Sequence, residues 1–198
     1  MARNSVWVGP ESNLTPIEDL LGPVMYEFPS LPDEMVVFYA MQVAKDMVDR
    51  TGGIIEDHDL TLYCGVTDYI VPQSECFAHV AVVSITDGGY DMRYRIDEVS
   101  GHIIFPAVAK TRVVQVTTKN TLDPMSCELP TWISTEGLDT LFDGVKAKLY
   151  ELESIGKTDM NKAQYFREKY DQAIRRIAAL KAYKGKADPL QVNFGRVI

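Results

Sequence analysis

The sequence has 198 residues, enough for one domain with a hydrophobic core, and its 46% hydrophobic and 24% charged residues are typical of a globular protein. Its formal net charge of −8 argues against general nucleic-acid binding, and no apolar run approaches the roughly 18 residues of a membrane span. The N-terminus has no apolar segment of a secretory signal. The cysteines, Cys64, Cys76 and Cys127, have neither metal-like nor redox spacing, which predicts synthesis in a reducing cytosol without disulfides.

Two helices are predicted before residue 54. The first covers about 15–21, with Thr15 as N-cap, and ends at Gly22-Pro23. Residues 24–29 are then expected to form an extended connector. The second helix, about 31–51, starts from Ser30 as a capping residue and ends at Gly52-Gly53. Its predicted apolar face comprises Met35, Phe38, Tyr39, Val43, Met47 and Val48.

The middle of the chain, about 54–118, has the pattern of short β-strands. Residues 77–85 form the strongest apolar run, and Asp87-Gly88-Gly89 is a turn signal, so residues 77–96 are predicted to form a hairpin. Further strands are predicted at 102–105 and 111–118. Short strands separated by frequent turns predict a small antiparallel sheet, because alternating βαβ units would need helices between the strands.

Two more helices follow, at about 131–153 and 159–183, the second capped by Asp159. Gly144 lies near the apolar stripe of the first, which predicts the close approach of another backbone. The expected fold is therefore α+β: an antiparallel helical bundle of three main helices, with a small antiparallel β-sheet lobe and an extended C-terminal arm. Residues 1–185 would form a single domain and 186–198 the arm.

Charge is unevenly distributed along the chain. From Arg167 onward there are eight Lys and Arg against three Asp and Glu, whereas the rest has 12 against 25. A basic helix face is predicted from Arg167, Arg175, Arg176, Lys181 and Lys184. The arm is predicted to bind a neighbouring chain by strand addition or to pack on its own domain, and both remain open. Its candidate contact residues are Pro189, Leu190, Val192, Phe194, Arg196 and Ile198.

No pattern of a catalytic, cofactor or metal site emerges. The run Glu56-Asp57-His58-Asp59 contains possible ligands for a divalent metal, but consecutive residues point in different directions, so a solvated loop is the preferred interpretation. Cys64, Cys76 and His79 lack a fourth zinc ligand. The Gly-rich, P-loop, nucleophile-elbow and metalloprotease motifs are missing from the sequence. We therefore expect no catalytic residue and no cofactor.

Four stretches follow one another along the sequence: IEDLLGPVMYEFPSLPDEMVVFYAMQVAKDMVDRTGG, LTLYCGVTDYIVP, SGHIIF followed by RVVQVTT, and LPTWISTEGLDTLFDGVKAKLYEL followed by KAQYFREKYDQAIRRIAALKAYKG. In this order they resemble the head-to-tail adaptor (connector, head-completion) proteins of tailed bacteriophages. The resemblance covers roughly residues 15–185 and rests on the joint order of these stretches, since no single one is a signature motif.

The resemblance implies a non-enzymatic virion protein, made in the host cytoplasm and placed in the neck of the particle. Such a protein self-associates into a ring of about twelve copies under the portal protein. The ring extends the channel through which genomic double-stranded DNA passes without specific binding, and it docks a tail nozzle, tube or tail-hub protein. The arm would engage the portal. The alternatives are another neck or tail-completion ring protein, a small metal-dependent enzyme using Glu56, His58 and Asp59, and a bacterial interaction module.

Overall fold

A computed structural model describes residues 14–74, 77–97, 99–123, 128–152 and 159–185. Of residues 183–185 it describes the backbone only. Five α-helices and nine β-strands are found within these ranges. No helix in this part of the chain combines the length and the apolar character that crossing a membrane requires.

The helices are α1 (Gly22–Glu27), α2 (Asp33–Arg50), α3 (Thr131–Ser134), α4 (Leu138–Tyr150) and α5 (Met160–Gly185), and a 3-10 turn spans Glu18–Leu20. α4 packs against both α2 and α5. The strands are β1 (Thr15–Pro16), β2 (Ile54–Leu62), β3 (Asp68–Tyr69), β4 (Phe77–Asp87), β5 (Tyr90–Asp91), β6 (Arg95–Ile96), β7 (Ile103–Ile104), β8 (Arg112–Leu122) and β9 (Glu128–Leu129).

The strands form three antiparallel sheets: a four-stranded sheet of order β2-β8-β4-β5, a three-stranded sheet of order β3-β7-β6, and the pair β1-β9. The predicted three-helix bundle with a small β-lobe is therefore wrong, although the α+β class holds. Only three of the five helices are long, and three strands of nine to eleven residues build the largest sheet. The sequence pattern underestimated these strands because polar residues interrupt their apolar alternation.

The predicted N-terminal helix is also wrong. Thr15 lies in a strand that pairs with β9, and Ile17 precedes the 3-10 turn without a side-chain cap. Gly22-Pro23, interpreted as a stop, instead begins α1, because proline is well tolerated in the first turn of a helix. The predicted extended connector at 24–29 is consequently helical up to Glu27.

α2 begins at Asp33, two residues after the start that a cap at Ser30 would give. Pro32 is the N-cap, with extended backbone (φ −60°, ψ 138°), and no side-chain cap forms. Ser30 therefore lies outside the helix start. Met35 and Phe38, predicted on the buried face, are 36% and 55% exposed. The end of α2 is as predicted: Gly52 and Gly53 adopt positive φ (101° and 82°), which favours glycine.

The predicted hairpin at 77–96 is confirmed only near its turn. Gly88 and Gly89 both have positive φ, and Thr86 and Asp87 pair with Asp91 and Tyr90. Residues 95–96 instead pair with β7 in the three-stranded sheet. β8 is longer than its predicted limit, because it runs to Leu122.

The predicted helix at 131–153 is broken into α3 and α4. Gly144 does lie at a close approach, but side chains and not another backbone make it: a Cβ built there would lie 2.5 Å from Val43 Cγ1 and 2.9 Å from the ring of Tyr170. Asp159 caps α5 as predicted: its Oδ1 accepts a 3.1 Å hydrogen bond from the backbone N–H of Lys162.

Two hydrophobic clusters share the central strand β8. The helical cluster, formed mainly by residues of α1, α2, α4 and α5, includes Leu122. The sheet cluster includes Val114 and Val116. These residues alternate along β8 with exposed or half-buried ones, so they lie on one face of the strand. The members of the sheet cluster are Leu62, Val71, Ile85, Ile103, Phe105, Val108, Val114 and Val116.

Candidate functional surfaces

A polar patch separates the two clusters on the buried face of β8. Thr118 and Asn120, fully buried, lie between Val116 and Leu122. Glu56 is directly opposite Thr118 on β2, and the Asn120 amide donates a hydrogen bond to Glu56 Oε2. His58 Nε2 lies 3.2 Å from Thr118 Oγ1. A half-buried carboxylate is therefore held by polar neighbours on this face of the sheet.

Two buried polar atoms in this patch have no hydrogen-bond partner among the described residues, Asn120 Oδ1 and His79 Nδ1. His79 is opposite Asn120 across the β4–β8 pairing. Unsatisfied buried polar atoms destabilise a fold, and native proteins contain few of them. The two unsatisfied atoms therefore reduce the stability of the sheet interior at this patch.

The acidic run Glu56–Asp59 forms part of β2, so the predicted solvated loop is wrong. Strand alternation places Glu56 and His58 on the buried face and Asp59 on the other. His58 Nε2 and Glu56 Oε2 are 3.9 Å apart. Within the residues that the structure describes, no group of three or more His, Cys, Asp or Glu side chains could hold a metal ion. Cys76, of the zinc alternative, lies outside them.

The predicted basic face of α5 is assembled only in part. Arg167 forms an ion pair with Glu151. Arg175 and Arg176 are exposed and form no ion pair within the described chain. They are the residues of this face best placed to meet an acidic partner. The side chain of Lys184 lies outside the described residues, as do all six predicted contact residues of the arm.

Lys181 points inward, contrary to its predicted role on an exposed face. Its Nζ lies 4.0 Å from the centre of the Trp132 ring and donates a 3.2 Å hydrogen bond to Thr51 Oγ1. Burial lowers the pKa of Lys181 to about 8. The contact fixes the last turns of α5 beside the turn that joins α2 to β2.

Sequence reasoning missed a set of exposed apolar side chains on the strands and on the loops between them. The residues concerned are Ile55, Tyr63, Val66, Ile70, Val80, Val83, Tyr90, Ile96, Val99 and Val113. Single exposed apolar side chains are common on protein surfaces, and only contiguous patches of them mark an interface. An open cavity of about 410 Å³ lies beside the β4–β5 turn, and there Arg112 is already paired with Asp87 at 2.6 Å.

Comparison of the chain with known protein families and with curated proteins finds no match.

Proposed function

We propose that the protein is a structural component of a tailed-phage neck, a head-to-tail adaptor that forms a ring under the portal protein and docks the tail. The observation that carries this proposal is the joint order of the four adaptor-like stretches over roughly residues 15–185. Arg175 and Arg176, which are exposed and form no ion pair among the described residues, support a role in assembly, because arginine is enriched at protein interfaces.

The charge distribution supports the same proposal. The chain up to residue 166 is acidic, and acidic surface lining a channel repels DNA phosphates, so the duplex slides without adhering. Arg175 and Arg176 on α5 are free to contact an acidic surface on the portal. The portal, a tail nozzle, tube or hub protein and further copies of this chain are then its partners, and the virion neck is its location.

Electron microscopy of the protein mixed with the purified portal of the same phage tests the proposal. We expect a ring of density at the base of the portal. A portal that stays bare at saturating protein would contradict the adaptor assignment.

A salt series with a charge-reversal variant tests the basic contact. Arg175→Glu/Arg176→Glu is expected to weaken portal binding at low salt. The difference in affinity between this variant and the wild type should shrink at high salt, because salt screens the charges. Lys148→Glu is the matched control, because Lys148 is exposed on α4. Equal binding of all three proteins at every salt concentration would contradict a role for this face.

A further inference from the structure

Within the described part of the chain, β2 presents a free edge along its full length. Its nine residues, Ile54 to Leu62, pair one-to-one with β8 on one side without a bulge. No described strand pairs with its other side. The outward backbone N–H and C=O groups of such an edge readily accept another strand, and proteins usually shield them. β2 is therefore a regular acceptor for an added strand.

The second long edge, on β4, is a poorer acceptor. The β4–β8 register shifts between His79 and Ala81 and again between Val82 and Ser84. Bulges of this kind bend and twist a strand and disrupt further pairing. β2 has no such irregularity.

Charge disfavours the pairing of β2 with a second copy of itself. In an antiparallel pair centred on His58, Asp57 of one copy would face Asp59 of the other. Like charges directly opposite each other destabilise a strand pair. The acidic edge instead favours an added strand that carries positive charge.

The end of α5 lies beside the start of this edge. Lys181 Nζ bonds to Thr51, three residues before β2 begins, and Gly185 follows one turn later. Thirteen residues of the sequence, 186–198, come after it. They reach up to about 45 Å when extended, whereas β2 is about 30 Å long. The segment is long enough to follow the whole strand.

The composition of residues 186–198 suits this edge. Leu190, Val192 and Phe194 alternate with polar residues at strand spacing, and Lys186 and Arg196 outnumber the single acid. We propose that residues 186–198 of this chain add as a parallel strand to the free edge of β2. The orientation is parallel because both strands lead away from the end of α5.

This inference does not depend on the adaptor proposal, since the edge would be closed whether or not the chain binds a portal. If both proposals hold, residues 186–198 bind either β2 or the portal, and portal binding must release them from β2. Portal binding and closure of the edge are measured separately, so one can fail while the other stands.

Hydrogen exchange of the full chain and of a chain ending at Gly185 tests the proposal. We expect about half of the β2 amides, those that point outward, to exchange about tenfold more slowly in the full chain. Exchange of β8, and of the open β4 edge at 77–84, should be the same in both chains. Equal exchange of β2 in the two chains would overturn the proposal.

A point variant separates the loss of the added strand from other effects of removing residues 186–198. Val192→Pro removes a backbone donor and should speed β2 exchange as the truncation does, whereas Asn193→Ala, its matched control, should not. Protection of β2 in the wild-type chain should also be independent of protein concentration. Protection that appears only as the concentration rises would overturn the proposal, because the strand would then come from a neighbouring copy.

Discussion

Val43 of α2 occupies the space that a side chain on Gly144 of α4 would need. A Cβ at position 144 would lie 2.5 Å from Val43 Cγ1 and 2.9 Å from Tyr170 Cδ2 and Cε2. No carbon atom in a folded protein is that close to a non-bonded neighbour, so the three long helices pack together at this position only because it is glycine.

Gly144→Ala is therefore expected to destabilise the protein by about 1–3 kcal/mol through overpacking. Without this steric overlap, alanine would stabilise a helix interior by about 1 kcal/mol relative to glycine. Urea denaturation measures the difference. Gly22→Ala is the control, because nothing lies within 4 Å of a Cβ at position 22. A stability of Gly144→Ala equal to that of the wild type would show that α4 can shift away from α2.

Tyr170→Phe should cost about 1–3 kcal/mol, because the buried Tyr170 hydroxyl donates a 2.6 Å hydrogen bond to the carboxylate of Asp46. Tyr165→Phe, at an exposed position on the same helix, should change stability by less than about 0.5 kcal/mol. Urea unfolding at neutral pH measures both. Similar losses for the two variants would argue that the Asp46 bond contributes nothing.

The cost of Tyr170→Phe should also depend on pH. Burial and then the bond to Asp46 raise the pKa of Tyr170 above its ordinary value of 10.0. The folded protein keeps the phenol proton while the unfolded chain loses it, so this stabilisation is complete below pH 10 and declines above it. The difference between wild type and variant should shrink in unfolding measurements above pH 10. A difference in unfolding free energy that stays constant above pH 10 would contradict the raised pKa of Tyr170.

Lys181 should titrate near pH 8 in the folded protein. Burial lowers its pKa from 10.5 to about 8, so the unfolded chain holds this proton more tightly between those values. Wild-type stability should therefore rise relative to Lys181→Met as the pH increases from 8 to 10.5. Unfolding measured at pH 7.5 and pH 10 tests the sign, and the tyrosine contributions cancel in the comparison.

Trp132 provides a second test of the same lysine. Its ring, 4.0 Å from Lys181 Nζ, attracts the charged ammonium and so favours the protonated form. Trp132→Leu should lower the pKa of Lys181 further, as measured by NMR of ¹³C-methylated lysines. A pKa that rises towards 10.5 would show instead that the indole acts mainly by excluding water.

The hydrogen bond in the buried polar patch predicts that Asn120 and Glu56 are energetically coupled. Asn120→Ala should cost about 2 kcal/mol, because it leaves Glu56 without its amide donor. Adding Glu56→Ala should cost less than the two single changes summed, since the carboxylate that lost its partner is then gone. A double-mutant cycle by urea unfolding measures this, with the exposed Asn161→Ala as control. Strict additivity would mean that the two side chains do not interact in solution.

Local chemistry in the sequence was sufficient to predict several features. The end of α2 at Gly52-Gly53, the tight approach at Gly144 and the cap at Asp159 each depend on a residue type with a single strong preference. Gly22-Pro23 was misinterpreted because the same pair can end one helix or begin the next. Phe38 fits the helical spacing of the core, yet only the packing of the other helices determines which side of α2 is covered.

The candidate surfaces were harder to predict. Thr118 and Asn120 look like solvent-facing strand residues, and their burial follows from the two apolar clusters on either side of them. Lys181 appeared to belong to an exposed basic face, because nothing local indicates that Trp132, forty-nine residues earlier, lies beneath it. The free edge of β2 is a property of the sheet order and cannot be read from the strand alone.

β8 contributes residues to both hydrophobic clusters, and this has a consequence for cooperativity. Unfolding of either cluster therefore removes packing from a strand that the other cluster also uses, and this strand pairs with both β2 and β4. The described fold should therefore melt in one calorimetric transition, in spite of its two cores. Ile54 of β2 and Phe77 of β4 also pack against the helical cluster, so all three long strands of the sheet carry force between the helices and the sheet cluster.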